Sequence, residues 1–198
     1  MTQFYPSYQQ RKGILPISWE TVHALCKGLG LAVAPFDPDI ILGVARGGLY
    51  PATLLSNLMG KEFYPIRITR RLNDVPHFDT PVWRTRPPDA VSGMKVLIVD
   101  EICGSGRTLR MAQTETMRLG AREVRCAALF AHESGREAPD YIGLISDELI
   151  LNPWDRELLV NGQYIFHPEY VHALELQGIA AEPEMLLGIE PIAPAKSR

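Results

Sequence analysis

The chain has 198 residues, 46% apolar and 22% charged, long enough for a real core and close to globular averages. Its formal net charge of −3 provides no overall basic field for nucleic acid or anionic membrane. Cys26, Cys103 and Cys126 are odd in number without a CxxC, which argues against a disulfide framework and a zinc site.

Taken from the start, MTQFYPSYQQRKG lacks the apolar segment of a secretory signal, and no apolar run approaches the roughly 20 residues that span a bilayer, so a cytoplasmic protein is expected. Ser18 as an N-cap predicts a helix over WETVHALCKGLGLAV, with Trp19, Val22, Leu25, Cys26 and Leu29 on one face. PFDPD ends it, and IILGV (40–44) reads as a short buried strand. After ARGG, a helix runs through LYPATLLSNLMG, where Pro51 is tolerated because it falls in the first turn. EFYPIRI (62–68) is expected to be a strand at an edge or with a bulge, since Pro65 cannot donate to a ladder.

Residues 69–94, with four prolines and four arginines, read as a long connection of the kind that often serves as a lid. KVLIVD (95–100) is apolar on both faces, as a central parallel strand should be. A helix over TLRMAQTETMRLG, a strand at EVRCAALFA (123–131) and a possible fifth strand at DELILNP (147–153) complete the pattern. Strands alternating with helices imply an α/β fold, an open and mostly parallel sheet flanked by helices. The tail after Trp154 has no clear period, and IEPIAPAKSR is expected to fray.

Chemistry concentrates in KVLIVDEICGSGRTL (95–109). Asp100 and Glu101 stand at the carboxyl end of a strand, where open α/β sheets bind ligands. Gly104, Ser105, Gly106 and Thr108 follow in a turn that opens a helix, and such a turn offers backbone N–H groups and a helix dipole to an anion. A Walker loop and a dinucleotide fingerprint both fail on spacing. A phosphate beside two carboxylates is repelled unless something separates them; a ribose would, with its hydroxyls on the acids and its 5′-phosphate in the turn. The plain alternative is a strand–turn–helix carrying two surface acids.

VLIVDEICGSGRT resembles the phosphoribosyl-pyrophosphate (PRPP) motif of type I phosphoribosyltransferases: an apolar strand, two acids, three residues, Ser or Thr, Gly, any residue, Ser or Thr. The resemblance implies that family's fold, with a small hood and a mobile loop at 69–94. It implies that Asp100 and Glu101 contact ribose hydroxyls directly or through Mg2+, and that Cys103, Gly104, Ser105, Gly106, Arg107 and Thr108 hold the 5′-phosphate. ILGVARGGLYPA (41–52) is similar to the family's pyrophosphate loop, which assigns Ala45, Arg46 and Gly47 to the leaving group, with Arg70 and Arg71 as helpers; each arginine can equally be a solvated loop residue. Asp100, Glu101 and Arg46 are then the expected catalytic residues. Asp155 of PWD falls near metal and pyrophosphate in the family, although an acid at a helix start is its plain reading.

The order of SWE, ARGGLxPA, the acidic motif, LFAxxxGR and PWD is most similar to bacterial xanthine-guanine and hypoxanthine enzymes. Three positions of the implied base pocket depart from that pattern. Gly104 stands where Asp is usual, His132 where Lys is usual and Leu149 where an aromatic residue is usual, with Ile150 beside it. The expectation is a core at 1–155, a C-terminal extension at 156–198 that joins the hood, and transfer of 5-phosphoribose from PRPP to a nucleobase, a purine first. The alternatives are a non-catalytic PRPP- or nucleotide-binding regulator, or an enzyme for a non-purine acceptor. The resemblance further implies a homodimer or homotetramer, with no nucleic-acid or membrane partner.

Overall fold

The computed structural model describes residues 11, 13–72 and 75–180; the opening MTQFYPSYQQ and the tail IEPIAPAKSR lie outside them. In chain order the elements are β1 (Ile14–Pro16), α1 (Trp19–Val33), β2 (Ile40–Val44), α2 (Leu49–Met59), β3 (Glu62–Thr69), β4 (Arg71–Leu72), β5 (Val75–Pro76) and β6 (Val82–Thr85). They continue with β7 (Lys95–Cys103), α3 (Arg107–Arg118), β8 (Glu123–Ala131), β9 (Tyr141–Ile145), β10 (Leu149–Leu151), β11 (Glu157–Val160), β12 (Gln163–Phe166) and α4 (Pro168–Glu175). These form two compact units: residues 19–147, and residues 11 and 13–18 with 148–180.

In the first unit the sheet order is β6-β3-β2-β7-β8-β9, all parallel except β6. All five residues of β2 are buried, as an apolar run covered on both faces requires. Ile40, Leu42, Val96, Ile98 and Val124 pack with Leu109 and Ala112 of α3 on one face. On the other face Gly43 abuts Leu49 and Ala52 of α2 so closely that an added Cβ would lie 2.9 Å from Ala52. Helix α1 buries Val22, Cys26, Leu29 and Val33, whereas Trp19 is 40% exposed and pairs at its edge with Tyr50 of α2, ring centroids 5.7 Å apart.

Two expectations need correction, and the one for EFYPIRI holds. Residues 69–94 are not a bare connection: β4 and β5 form a short antiparallel pair, and β6 pairs antiparallel with β3. Strand β3 is therefore covered at Arg67–Thr69 and open at Pro65, with a register shift between Arg67 and Ile68, so the proline sits where no ladder donor is needed. The strand beside β8 is β9, Tyr141–Ile145, while Leu149–Leu151 leaves the main sheet and pairs with β1.

In the second unit β1 and β10 form a parallel ribbon, Ile14 opposite Leu149. Helix α4 covers it: Tyr170, Ala173 and Leu174 pack on Leu149 and Leu151. Buried Arg156 donates from Nη2 to the carbonyls of Ile17 (2.7 Å) and Leu151 (2.6 Å), capping the ribbon's end. β11 and β12 form a hairpin turned by Asn161 and Gly162, both at positive φ, as a tight hairpin turn demands. No helix among the described residues is long and apolar enough to cross a membrane.

Candidate active site

From β2 the chain passes to β3 on one side, and later returns through β7 on the other side of β2. The carboxyl ends of β2 and β7 are thus neighbours, with Gly43 opposite Val99. This is the topological switch point, where diverging loops leave a crevice in an open α/β sheet. The loop 45–48 and the acidic pair emerge there side by side.

Close approach explains the two glycines of ARGG. A Cβ on Gly47 would overlap the Glu101 carboxylate, and one on Gly48 would lie 2.6 Å from the Val44 carbonyl and 2.9 Å from Asp100 Cα. The backbone of the first loop therefore lies directly against both acids. The Ala45–Arg46 peptide is cis, and Arg46 is exposed at the rim. The Ala45 N–H donates to the Ile66 carbonyl (2.7 Å), fixing the loop's start to β3. Arg70 and Arg71 follow β3 at the same edge of the sheet, both half-buried. The Arg70 carbonyl accepts from His77 and Phe78 (2.9 Å each), and the Arg71 N–H donates to Thr69 Oγ1 (3.0 Å).

Asp100 Oδ1 accepts from the backbone N–H of Glu101 at 2.8 Å. Burial pushes the Asp100 carboxyl up to about 7, against the smaller opposing pull of that hydrogen bond. Its charged form therefore lacks sufficient compensation from the protein alone, and a cation or hydroxyl donor would supply it. Among the described residues no three His, Cys, Asp or Glu side chains gather as a metal cluster.

The second loop runs from Cys103 into α3. Gly106 caps the helix at φ +76°, a left-handed conformation that glycine adopts without strain. Ser105 and Arg107 are exposed and Thr108 is half-buried, so the turn opens to solvent at the N-terminus of α3. Cys103 faces the other way. Its Sγ donates to the Gly135 carbonyl at 3.3 Å and burial pushes the thiol up to about 11, making it a neutral packing group.

His132 directly follows β8 and is 6% exposed. Its Nδ1 lies 2.6 Å from the Ser146 carbonyl. A carbonyl only accepts, so Nδ1 carries the proton, and in the neutral ring the other nitrogen is an acceptor. Leu149, Ile150 and Asp155 belong to the second unit. Leu149 packs with α4, Ile150 is buried, and Asp155 Oδ1 accepts from the Tyr170 hydroxyl at 2.8 Å. Burial raises the Asp155 carboxyl, partly offset by that bond.

Residues just after His132 also touch the glycine turn. Ser134 Oγ donates to the Gly104 carbonyl at 2.8 Å, and a Cβ on Gly135 would come within 2.5 Å of the Cys103 carbonyl. Only the small residues in HESGR hinted at such an approach.

Comparison with known proteins agrees with this geometry. The family model described as phosphoribosyl transferase domain matches residues 19–160. The chain is 28% identical over 159 residues to the xanthine-guanine phosphoribosyltransferase of Cereibacter sphaeroides, covering 72% of this chain and 87% of that protein. Among solved structures, the purine phosphoribosyltransferase of Pyrococcus horikoshii superposes with a TM-score of 0.66 at 27% identity, covering 76% of this chain and 99% of that one. The Helicobacter pylori xanthine-guanine-hypoxanthine phosphoribosyltransferase, at 23% identity and a TM-score of 0.60 over 71% of this chain and 91% of that one, shares the fold.

Proposed function

The chain belongs to the phosphoribosyl transferase domain family and is a type I phosphoribosyltransferase, and from that premise we propose that it transfers 5-phosphoribose from PRPP to a purine base, releasing pyrophosphate. The observation that carries this reading is the contact of the Gly47–Gly48 backbone with Asp100 and Glu101, beside a helix-capping glycine turn. It supplies two anion-binding loops with a pair of acids between them, the layout a phosphorylated ribose bearing a pyrophosphate requires.

The ribose C1–oxygen bond to pyrophosphate breaks with its electron pair leaving on pyrophosphate, and a base nitrogen donates the pair for the new C1–N bond as the base loses its N–H proton to water. Positive charge grows on the ribose as the bond breaks. Asp100 and Glu101 stabilise that charge and hold the ribose hydroxyls; Arg46 with the 45–47 backbone takes the growing charge on pyrophosphate. The 104–108 turn, at the N-terminus of α3, holds the 5′-phosphate and keeps C1 in register. Asp100 and Glu101 would hold Mg2+, an oxygen-seeking cation that one or two carboxylates suit. When bound, it supplies charge neutralisation at pyrophosphate. As the resemblance implies, the enzyme is a homodimer or homotetramer.

The test is incubation with PRPP, Mg2+ and a panel of bases, scored by pyrophosphate release and nucleotide formation. Turnover of hypoxanthine, guanine or xanthine is expected. Turnover confined to non-purine acceptors would refute the purine assignment, and tight PRPP binding with no turnover on any base would refute transfer.

A further inference from the structure

The 3-10 turn Glu133–Gly135 follows His132 and lies against the glycine turn of the PRPP motif. Three successive carbonyls of that turn are held by donors from outside it. The Cys103 carbonyl accepts from the His132 N–H (3.1 Å), the Gly104 carbonyl from Ser134 Oγ (2.8 Å) and the Ser105 carbonyl from Arg110 Nη1 (2.8 Å). In a trans peptide the C=O of one residue and the N–H of the next point in opposite directions. Holding the carbonyls of 103 and 104 therefore turns the N–H groups of Gly104 and Ser105 away from the holding groups, whereas the Gly106 N–H is directed at the Cys103 thiol. Successive N–H groups fixed by a turn make an anion-binding concavity, and its quality depends on how firmly they are aimed.

Among the three, Ser134 alone holds its carbonyl through a side-chain hydroxyl, and that side chain is exposed rather than part of the core. We propose that Ser134 is a positioning residue for the phosphate loop: by holding the Gly104 carbonyl, its hydroxyl aims the Ser105 N–H toward the sugar's 5′-phosphate. Gly135 makes this possible, because a Cβ there would lie 2.5 Å from the Cys103 carbonyl and 2.7 Å from the Gly104 carbonyl. The segment LFAHESGR thus serves two ends of the substrate, His132 toward the base and Ser134 toward the phosphate. The inference rests on the assignment of the 104–108 turn to the 5′-phosphate.

Calorimetric titration with two probes, ribose 5-phosphate and inorganic pyrophosphate, tests it. Ser134→Ala should weaken ribose 5-phosphate about fivefold, the order expected for one hydrogen bond, with pyrophosphate affinity within about twofold of wild type. Ser134→Thr should restore ribose 5-phosphate binding. Gly135→Ala, which pushes two carbonyls, should cost more than Ser134→Ala for the same probe. Unchanged ribose 5-phosphate affinity in Ser134→Ala, or equal weakening of both probes, overturns the positioning role alone. A wild-type protein that binds no ribose 5-phosphate rejects the phosphate assignment itself, and the inference with it.

Discussion

The carboxyl edge of the first unit and the ribbon of the second make different use of buried polar groups. In the ribbon, Arg156 donates to two carbonyls and Asp155 accepts from a tyrosine hydroxyl, so these two groups hold the chain together. At the edge, the partly buried Asp100 accepts the adjacent Glu101 N–H, and its carboxyl still rises to about 7. The contrast separates polar groups that stabilise the fold from those kept available for a ligand at some cost in stability.

That contrast can be broken at Gly47. Gly47→Ala forces a methyl into the Glu101 carboxylate, and we expect turnover to fall by at least about 100-fold with the protein still folded, because the clash is at the rim of the sheet. Activity within a few-fold of wild type would separate the 45–48 loop from the acids. On the other side of the comparison, Leu174→Ala removes a fully buried side chain of α4. Thermal melting should report a loss of about 2–4 kcal/mol, and the folded protein should keep its affinity for ribose 5-phosphate. An affinity loss there would show the two regions to be functionally inseparable.

Asp100 sharpens the comparison through pH. Its folded pKa of about 7 lies above the ordinary value of 3.8. The ligand-free fold therefore prefers the protonated acid, and this group erodes stability as pH rises from about 4 to about 7, with no further change beyond. Asp100→Asn should gain in melting temperature relative to wild type across that window. A constant difference between the two proteins would contradict the shift. The smallest effect is expected at Glu115, whose carboxyl is held down to about 2 by hydrogen bonds from Arg118, then Arg86. Because that pKa is lowered, its contribution is present above about 4.5 and lost as pH falls toward 2. Glu115→Gln should lower the melting temperature by about 2–4 °C at neutral pH, and melts near pH 2 should coincide.

The legible parts of the molecule are those in which the physics is local. The run KVLIVDEICGSGRT carries strand, acids, turn and helix start in consecutive residues, and the structure has β7, the switch-point acids and the left-handed Gly106 in that order. Helix α1 and strand β2 were readable from periodicity and apolar content for the same reason. Sheet membership was not. DELILNP does contain a strand, but its partner is β1 near the other end of the chain, and nothing within seven residues specifies that pairing. Strand β9 was missed because Tyr141–Ile145 is short, with none of its residues fully buried. β6 hid among prolines and arginines, its strand character coming from the open edge of β3. The contact of Ser134 is with a carbonyl 30 positions earlier, which no local pattern reveals. Residues 158–165 were unreadable as a hairpin for want of alternation, since Leu158, Leu159 and Val160 are all exposed.

The central claim is that a ribose bridges the acids at the end of β7 and the amide-lined turn that follows. Calorimetric titration of PRPP with Mg2+ into the wild type and the double variant Asp100→Asn, Glu101→Gln tests it most directly. The account predicts saturable binding to the wild type and a loss of at least about 100-fold in the double variant, with circular dichroism unchanged. Equal affinity in the two proteins would contradict it.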